Sequence, residues 1–418
     1  MIHPKQKKYY LFFTHVAFII LLTIFIILPN VTFSKTANST LWINTAIKKS
    51  FPIRFNHSDK AYNSLGFQHN LEYNNLKSKI TLSSNNEKKI IFDQSYIQFK
   101  KNDKIFGIGT VNRNWSFSPI TSLILSSNAR PTSSIYFILD TGQKTNNPLT
   151  SWAGPVTFEI FNSLHSDTTK IDNAMLLGIR AIIEPTQNLK FELVKTSQWG
   201  GDGQPRNLSS FFTAIAGNSN TDKNSNINQL AGFGLSYNVK IAGVSSRLYA
   251  QFIGEDESGN LPSCFMTLAG SELEFPRNFL FSKLGFEIID TRIDTTTHNY
   301  CGPNTAYNNS TYSYTNFGET LGTSIDTEGK SFHMWISKKI SNKVDIHFSI
   351  KDVTINDANW FDHRLSSYKT NGLQLNTGTS IKLNSIKFKT NLSYQNFSLD
   401  KMDYKNGLNL NLNIEHTF

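Results

Sequence analysis

The feature that most constrains this chain is a hydropathy pattern of period two, recurring over segments of about ten residues. In the last segment Leu408, Leu410, Leu412, Ile414, His416 and Phe418 fall on one face, and Asn409, Asn411, Asn413, Glu415 and Thr417 on the other. Successive strand side chains point to opposite sides, so the spacing predicts a strand with one oily and one wet face. Phe233, Leu235, Tyr237, Val239 and Ile241 repeat it against Gly234, Ser236, Asn238 and Lys240. Val344, Ile346, Phe348 and Ile350 alternate with Asp345, His347, Ser349 and Lys351, and Ile386, Phe388, Leu392 and Tyr394 with Lys387, Lys389, Asn391 and Ser393. No convincing amphipathic helix longer than two turns interrupts these segments.

Composition narrows the classes. Of the 418 residues 13% are aromatic, too many for a chain that stays unfolded. Only 17% are charged, against roughly 25% in ordinary soluble domains, and neutral Asn, Ser and Thr fill the difference. Beyond residue 28 no apolar run approaches the roughly 20 residues of a spanning helix. A soluble β-sandwich or solenoid also alternates, but its apolar faces meet each other. Here the second face carries Lys, Asn, Asp and His on strand after strand, as expected when one face meets lipid and the other a hydrated lumen. Closing the sheet satisfies every backbone group in lipid. The expected fold class is all-β, a transmembrane antiparallel β-barrel of about 16–18 strands in the outer membrane of a Gram-negative bacterium.

At the N-terminus Lys5, Lys7 and Lys8 precede the apolar stretch Tyr9 to Leu28, and Pro29 and Asn30 follow. That order reads as a signal peptide over residues 1–34, with an uncleaved anchor as the alternative. The barrel and its loops then occupy 35–418. Removing the three lysines lowers the formal charge from +10 to +7, which favours acidic glycans or lipopolysaccharide phosphates by long-range attraction. No basic block reads as a nucleic-acid stripe.

Motifs of catalysis are missing from the sequence: there is no Gly-x-Ser-x-Gly elbow, His-Glu-x-x-His, phosphate-cradling Gly loop or Cys-x-x-Cys. No enzyme activity, metal or cofactor is expected, and a scattered histidine such as His347 reads as solvated. Glu255-Asp256-Glu257 reads as a solvated loop after a strand ending near Phe252 and Ile253, with acid–base work or calcium as its alternative. Cys264 and Cys301 lie beside Gly, Pro and Asn, which suggests loops, and they either form a disulfide or stay as two buried thiols. The run Gln198-Trp199-Gly200-Gly201-Asp202-Gly203-Gln204-Pro205-Arg206 sets a flat apolar ring beside donors and acceptors, which suits a saccharide. It equally suits an interfacial Trp with tight turns.

The same residues carry a resemblance. Ile253 to Ser263, the Gln198–Arg206 run and Asn228-Gln229-Leu230-Ala231-Gly232-Phe233 resemble the Wzi family of capsule assembly outer-membrane proteins. So do Ser122-Leu123-Ile124-Leu125 leading to Ala129-Arg130-Pro131, Gly154-Pro155, and Asp290-Thr291-Arg292; the match runs with gaps from about Asn63 to Phe418. The resemblance implies an 18-stranded barrel whose extracellular loops close the outer mouth and bind capsular polysaccharide. It implies a non-catalytic surface lectin that retains exported capsule. Two departures stand out. The family's Trp-Gly-Pro-Gly turn is replaced by Trp115-Ser116-Phe117-Ser118, and the short stretch between Lys35 and Asn63 cannot hold the family's periplasmic helical bundle. Leu41 to Phe55 is expected to form the first strand instead, leaving the periplasmic mouth less plugged.

On this reading Trp199 stacks on a sugar ring, Arg206 and Arg130 pair with sugar carboxylates, and Asp202 lies beside Arg206. Glu255, Asp256 and Glu257 brace the arginines or accept sugar hydroxyls, and Arg113, Trp115 and Arg130 are the next candidates in rank. The expected partners are capsular or other extracellular polysaccharide, outer-membrane lipid and lipopolysaccharide, with no nucleic acid, and the barrel is expected to be a monomer. A diffusion channel is the rival reading, motivated by the short N-terminus, and a hydrolase using Glu255 to Glu257 is a third.

Overall fold

A computed structural model describes residues 35–47, 51–52, 63–85, 90–143, 151–165, 170–216, 227–258, 261–276, 279–293, 301–402 and 404–418. Residues 1–34, on which the signal-peptide reading falls, lie outside the described residues. The strands run in chain order as β1 (Lys35–Ala46), β2 (Asn63–Tyr73), β3 (Leu76–Asn85), β4 (Ile90–Ile91), β5 (Tyr96–Lys101), β6 (Lys104–Thr110), β7 (Ser133–Asp140), β8 (Val156–Leu164), β9 (Met175–Ile183) and β10 (Leu189–Trp199). They continue as β11 (Asn228–Ile241), β12 (Val244–Ser258), β13 (Leu261–Glu274), β14 (Lys283–Asp290), β15 (Thr315–Asn316), β16 (Glu319–Thr320), β17 (Lys330–Lys339), β18 (Val344–Ile355), β19 (Thr370–Leu383), β20 (Ile386–Gln395) and β21 (Gly407–Thr417).

Each wall strand pairs antiparallel with its neighbours in sequence, and β4 and β5 are two pieces of one wall strand laid against β3. β15 and β16 pair only with each other. The first strand pairs with β2 on one side and with β21 on the other, Thr40 opposite Thr417 and Ala46 opposite Asn411, so the sheet closes as an 18-stranded barrel.

The two ends differ. At one end Asn74-Asn75, Asn102-Asp103, Ala242-Gly243 and Asn384-Ser385 link strands in two residues. Their first positions have φ of 48°, 55°, 49° and 51°, the left-handed values a tight hairpin demands and Asn readily adopts. At the other end the loops 111–132, 291–329 and 356–369 are long. Outer-membrane barrels keep short turns on the periplasmic side, so the long loops are extracellular and Phe418 is periplasmic.

Side chains sort as the alternation requires. Leu193, Phe233, Leu235, Phe348, Leu408, Leu412 and Ile414 stand exposed on the outside, while Glu192, Gln251, Ser349 and Asn409 are buried within. Moving each large apolar side chain out of water stabilises by about 1.5–3 kcal/mol, and only lipid can cover so continuous a belt. Along the extracellular part of β18 the inner face changes character: Lys351 is followed by inward Val353 and Ile355, both buried. The reason lies in the loops, which fold into the barrel and give those apolar residues a dry partner.

Loop 111–132 is the main filling. Trp115, Leu123 and Ile124 are fully buried. Gln251 accepts the Leu123 N–H at 2.9 Å and donates to the Trp115 carbonyl at 2.5 Å. Tyr307 and Tyr314, from loop 291–329, donate to the carbonyls of Leu123 and Ile124 at 2.6 and 2.9 Å. Ser118 bonds the buried carboxylate of Glu287, which also accepts Tyr249 at 2.9 Å. Gly178 makes this approach possible: a Cβ there would lie 2.2 Å from Phe161 and 2.8 Å from Trp115.

Three expectations are corrected. β1 spans Lys35–Ala46 rather than Leu41 to Phe55. Phe51 and Pro52 turn into the lumen instead, because Gln395 accepts the Phe51 N–H at 2.9 Å while Gln374 and Lys351 donate to the carbonyls of Phe51 and Pro52 at 2.7 and 3.1 Å. Glu255-Asp256-Glu257 is not a loop: β12 and β13 extend as one long hairpin with Asp256 opposite Ser263 and Glu257 opposite Pro262. Cys264 lies within β13 and not in a loop; it is disulfide-bonded to Cys301, with the Cα atoms 5.6 Å apart. The bond ties the barrel wall to loop 291–329, and closing a loop of this size stabilises by roughly 3–4 kcal/mol in the chain-entropy model. Reduction is therefore expected to lower the unfolding temperature and speed proteolysis within 291–329, read by limited proteolysis with and without reductant.

Candidate functional site

The saccharide candidates scatter into three environments. Trp199 ends β10 on its outward side, opposite Met175, and is only 6% exposed. Its ring packs against Phe211 at 5.5 Å, and its Nε1 donates to Asn162 Oδ1 at 3.1 Å. An indole covered in this way offers no face to a sugar, so the stacking role is corrected to a packing one. The helix Leu208–Ala216 that covers it is a second correction, since the alternation announced no helix here.

Arg113 and Trp115 sit inside the barrel. Glu159 binds both, with Oε1 accepting Arg113 Nε at 2.7 Å and Oε2 accepting Trp115 Nε1 at 3.1 Å. The Arg113 guanidinium also lies 3.8 Å from the Phe161 ring centroid. Arg130 is held by both oxygens of Asp93, at 2.8 and 2.9 Å, and stacks over Phe317 at 4.1 Å. These cations have their carboxylates already, so their role is to fix the plug rather than to meet sugar carboxylates.

Arg206 and Asp202 are placed differently. Both are substantially exposed, in the turn between β10 and the helix. Arg206 Nη2 donates to the Asn173 carbonyl at 2.8 Å and lies 3.4 Å from Asp202 Oδ1, while Asn173 Nδ2 donates to Asp202 Oδ2 at 3.0 Å. Gly200, at φ 62°, carries the chain out of the strand, and its carbonyl accepts Tyr312 at 2.8 Å. Beside the cluster a small, water-sized recess is lined by His165, Lys170, Gln198 and Tyr312. Donors and acceptors therefore converge at the extracellular end on a rigid loop pair, an arrangement that can take hydroxyls and a carboxylate. Asn173, Lys170 and Tyr312 were not singled out in the sequence, because they come from two other loops.

Glu255 is on the lumen side of β12 and interacts electrostatically with Arg364, which is not one of the arginines it was expected to brace. Arg364 binds Asp326, which is buried. The side chains of Asp256 and Glu257 lie outside the described residues. A further network links Arg292 to both oxygens of Asp290 at 2.9 and 2.7 Å and to Asp357 at 2.9 Å, with Lys369 2.5 Å from Asp357. Lys369 and Arg292 together hold the Asp357 carboxyl below its usual range.

His363, fully buried in loop 356–369, contacts the Thr327 carbonyl through Nε2 at 3.0 Å and accepts the Leu365 N–H at Nδ1 at 3.1 Å. That pattern requires the neutral ring, and burial holds its pKa below the ordinary 6.5. The unfolded loop gains a proton below about pH 6.5 that the folded loop resists. Stability is then fully present above that value and falls as the pH drops. Proteolysis of the extracellular loops is expected to quicken at about pH 5 relative to about pH 7.5, and His363→Gln to flatten the dependence.

Similarity to known proteins fits this geometry. The capsule assembly protein Wzi family matches residues 40–412. An uncharacterized 55.8 kDa protein in the cps region of Klebsiella pneumoniae is 38% identical over 123 residues, covering 29% of this chain and 24% of that one. The matched segment thus spans about a quarter of that relative's length. Among solved structures, Wzi of Escherichia coli, an outer-membrane protein involved in group 1 capsule assembly and described as a carbohydrate-binding β-barrel, superposes with a TM-score of 0.77 at 23% identity over 91% of this chain and 84% of that one. OpdQ of Pseudomonas aeruginosa gives a TM-score of 0.52 at 10% identity over 93% and 99%, a likeness of fold alone. With the family match running from the first strand of the barrel into the last, this chain belongs to the Wzi family of capsule assembly proteins.

Proposed function

We propose that this outer-membrane barrel is a non-catalytic lectin that binds capsular polysaccharide at its extracellular end and helps hold it on the cell. The observation that carries the reading is the exposed Asp202–Arg206–Asn173 cluster at the long-loop end of a barrel filled with bulky loop side chains. Long-range charge does not support it. Lys100, Lys101, Lys104, Lys338, Lys339 and Lys343 flank short periplasmic turns, so attraction for an acidic glycan rests on local cations such as Arg206. The packed loop side chains in the lumen argue against an open diffusion channel.

The test is titration of the detergent-solubilised protein with the host's own capsular polysaccharide. A hydrogen bond to a charged group contributes about 1.5–3 kcal/mol, so Arg206→Ala is expected to weaken binding about tenfold or more, with Asp202→Ala acting in the same direction through loss of the arginine's anchor. Unchanged affinity in both variants would reject the site, and no affinity in the unmodified protein would reject the lectin.

A further inference from the structure

From the middle of the wall to its extracellular end, the outward face of β10 reads Phe191, Leu193, Lys195, Ser197, Trp199. Leu193 is 64% exposed, whereas Ser197 is fully buried. The helix Leu208–Ala216 causes the difference, because it folds back over the outside of the barrel. Ser197 Oγ donates to the Ala214 carbonyl at 2.8 Å, and Lys195 Nζ to the Ile215 carbonyl at 3.0 Å. The ammonium thereby completes the last turn of the helix, where carbonyls lack partners and cations are favoured. At the other end Asn207 Oδ1 accepts the Ser210 N–H at 2.9 Å while Ser210 Oγ accepts the Asn207 N–H at 3.0 Å, a reciprocal cap. Phe211 and Ala214 face the wall, packed with Trp199 and Leu177.

The helix is thus hydrogen-bonded at both ends and seated on the wall, yet beside exposed Ser209 its far side also carries large apolar side chains. Leu208 is 76% and Phe212 61% exposed. Two residues along the same outward face from Lys195 stands the belt residue Leu193, opposite exposed Phe233 of β11, with Phe191 opposite Leu235. An amphipathic element at this height lies at the boundary between acyl chains and headgroups.

We infer that this external helix is a lipid-docking element: Leu208 and Phe212 insert among the acyl chains of the outer leaflet, and their partner is membrane lipid. Docking there fixes the height of the Asp202–Arg206 turn, which enters the helix at Asn207, just above the headgroups. The inference is independent of any glycan.

Nitroxide labels on Phe212→Cys and, separately, Leu208→Cys, with the native disulfide kept, test it in the full protein reconstituted into phosphatidylcholine vesicles. Leu193→Cys serves as the lipid reference and Phe361→Cys, on an extracellular loop, as the aqueous one. Both helix labels are expected to relax strongly with oxygen and weakly with a water-soluble nickel chelate, as the Leu193 label does. Chelate access like that at Phe361 would overturn the proposal by placing the helix in water. Protection from both reagents would overturn it in favour of a protein cover such as a second copy of this chain.

Discussion

Trp115→Ala is expected to destabilise the barrel by about 3–5 kcal/mol, the cost of removing a fully buried aromatic side chain that the surroundings cannot refill. The indole packs edge-on against Phe161 at 5.3 Å and donates to Glu159, and its own carbonyl is held by Gln251. Removing it loosens loop 111–132 where the plug is joined to the wall through Glu159, Phe161 and Gln251. The midpoint of the folded-to-unfolded mobility shift on heating in detergent should fall by several degrees. In planar bilayers the unmodified protein should be silent and the variant should show discrete openings. An unmodified barrel that conducts steadily would show that the loops do not close the lumen.

Glu159→Ala is the second large effect. The carboxylate serves two donors, and deleting it leaves the Arg113 guanidinium in a site where it is hardly exposed. Breaking a buried pair by removing one partner costs about 3–5 kcal/mol, because the remaining charge stays desolvated. Arg113→Met on top of Glu159→Ala should restore much of that loss, since the flexible apolar chain keeps the contact with Phe161 and brings no charge. A double variant no more stable than Glu159→Ala, by the same heat-shift measurement, would mean that the pair is not the main constraint at this point. The second acceptor role of Glu159 limits full recovery, as Trp115 Nε1 would still lack its partner.

Much of the fold was legible from spacing. The run Leu408 to Phe418 gave the correct faces along β21, with Leu408, Leu412 and Ile414 outside and Asn409 inside. Asn-rich and Gly-containing pairs such as Asn102-Asp103 and Ala242-Gly243 mark the tight turns because their φ values demand them. The acidic run 255–257 was misplaced because charged residues read as loop, whereas the pairing of β12 with β13 continues through it. The helix escaped notice because it is short, nine residues from Leu208 to Ala216, and follows directly on a glycine-rich turn.

The candidate site was legible in its residue types but not in its placement. Trp199, Arg206, Arg113 and Arg130 look alike as aromatic or cationic residues beside glycine, proline or asparagine. Only Arg206 of these stands open to water, while Trp199 is capped from outside the wall and Arg113 is enclosed within it.

By itself the sequence determined which residues share a face, that the strands are many and antiparallel, and that an oily exterior must enclose a polar interior. Tertiary structure alone decided which medium each face meets at a given height. Period two is a local property of the backbone, whereas the plug, the Cys264–Cys301 tie and the external helix bring together distant residues, Leu123 and Tyr307 being 184 positions apart. Those distant contacts turn an arginine into a brace inside the barrel, while Arg206, in another loop, keeps its side chain exposed to water.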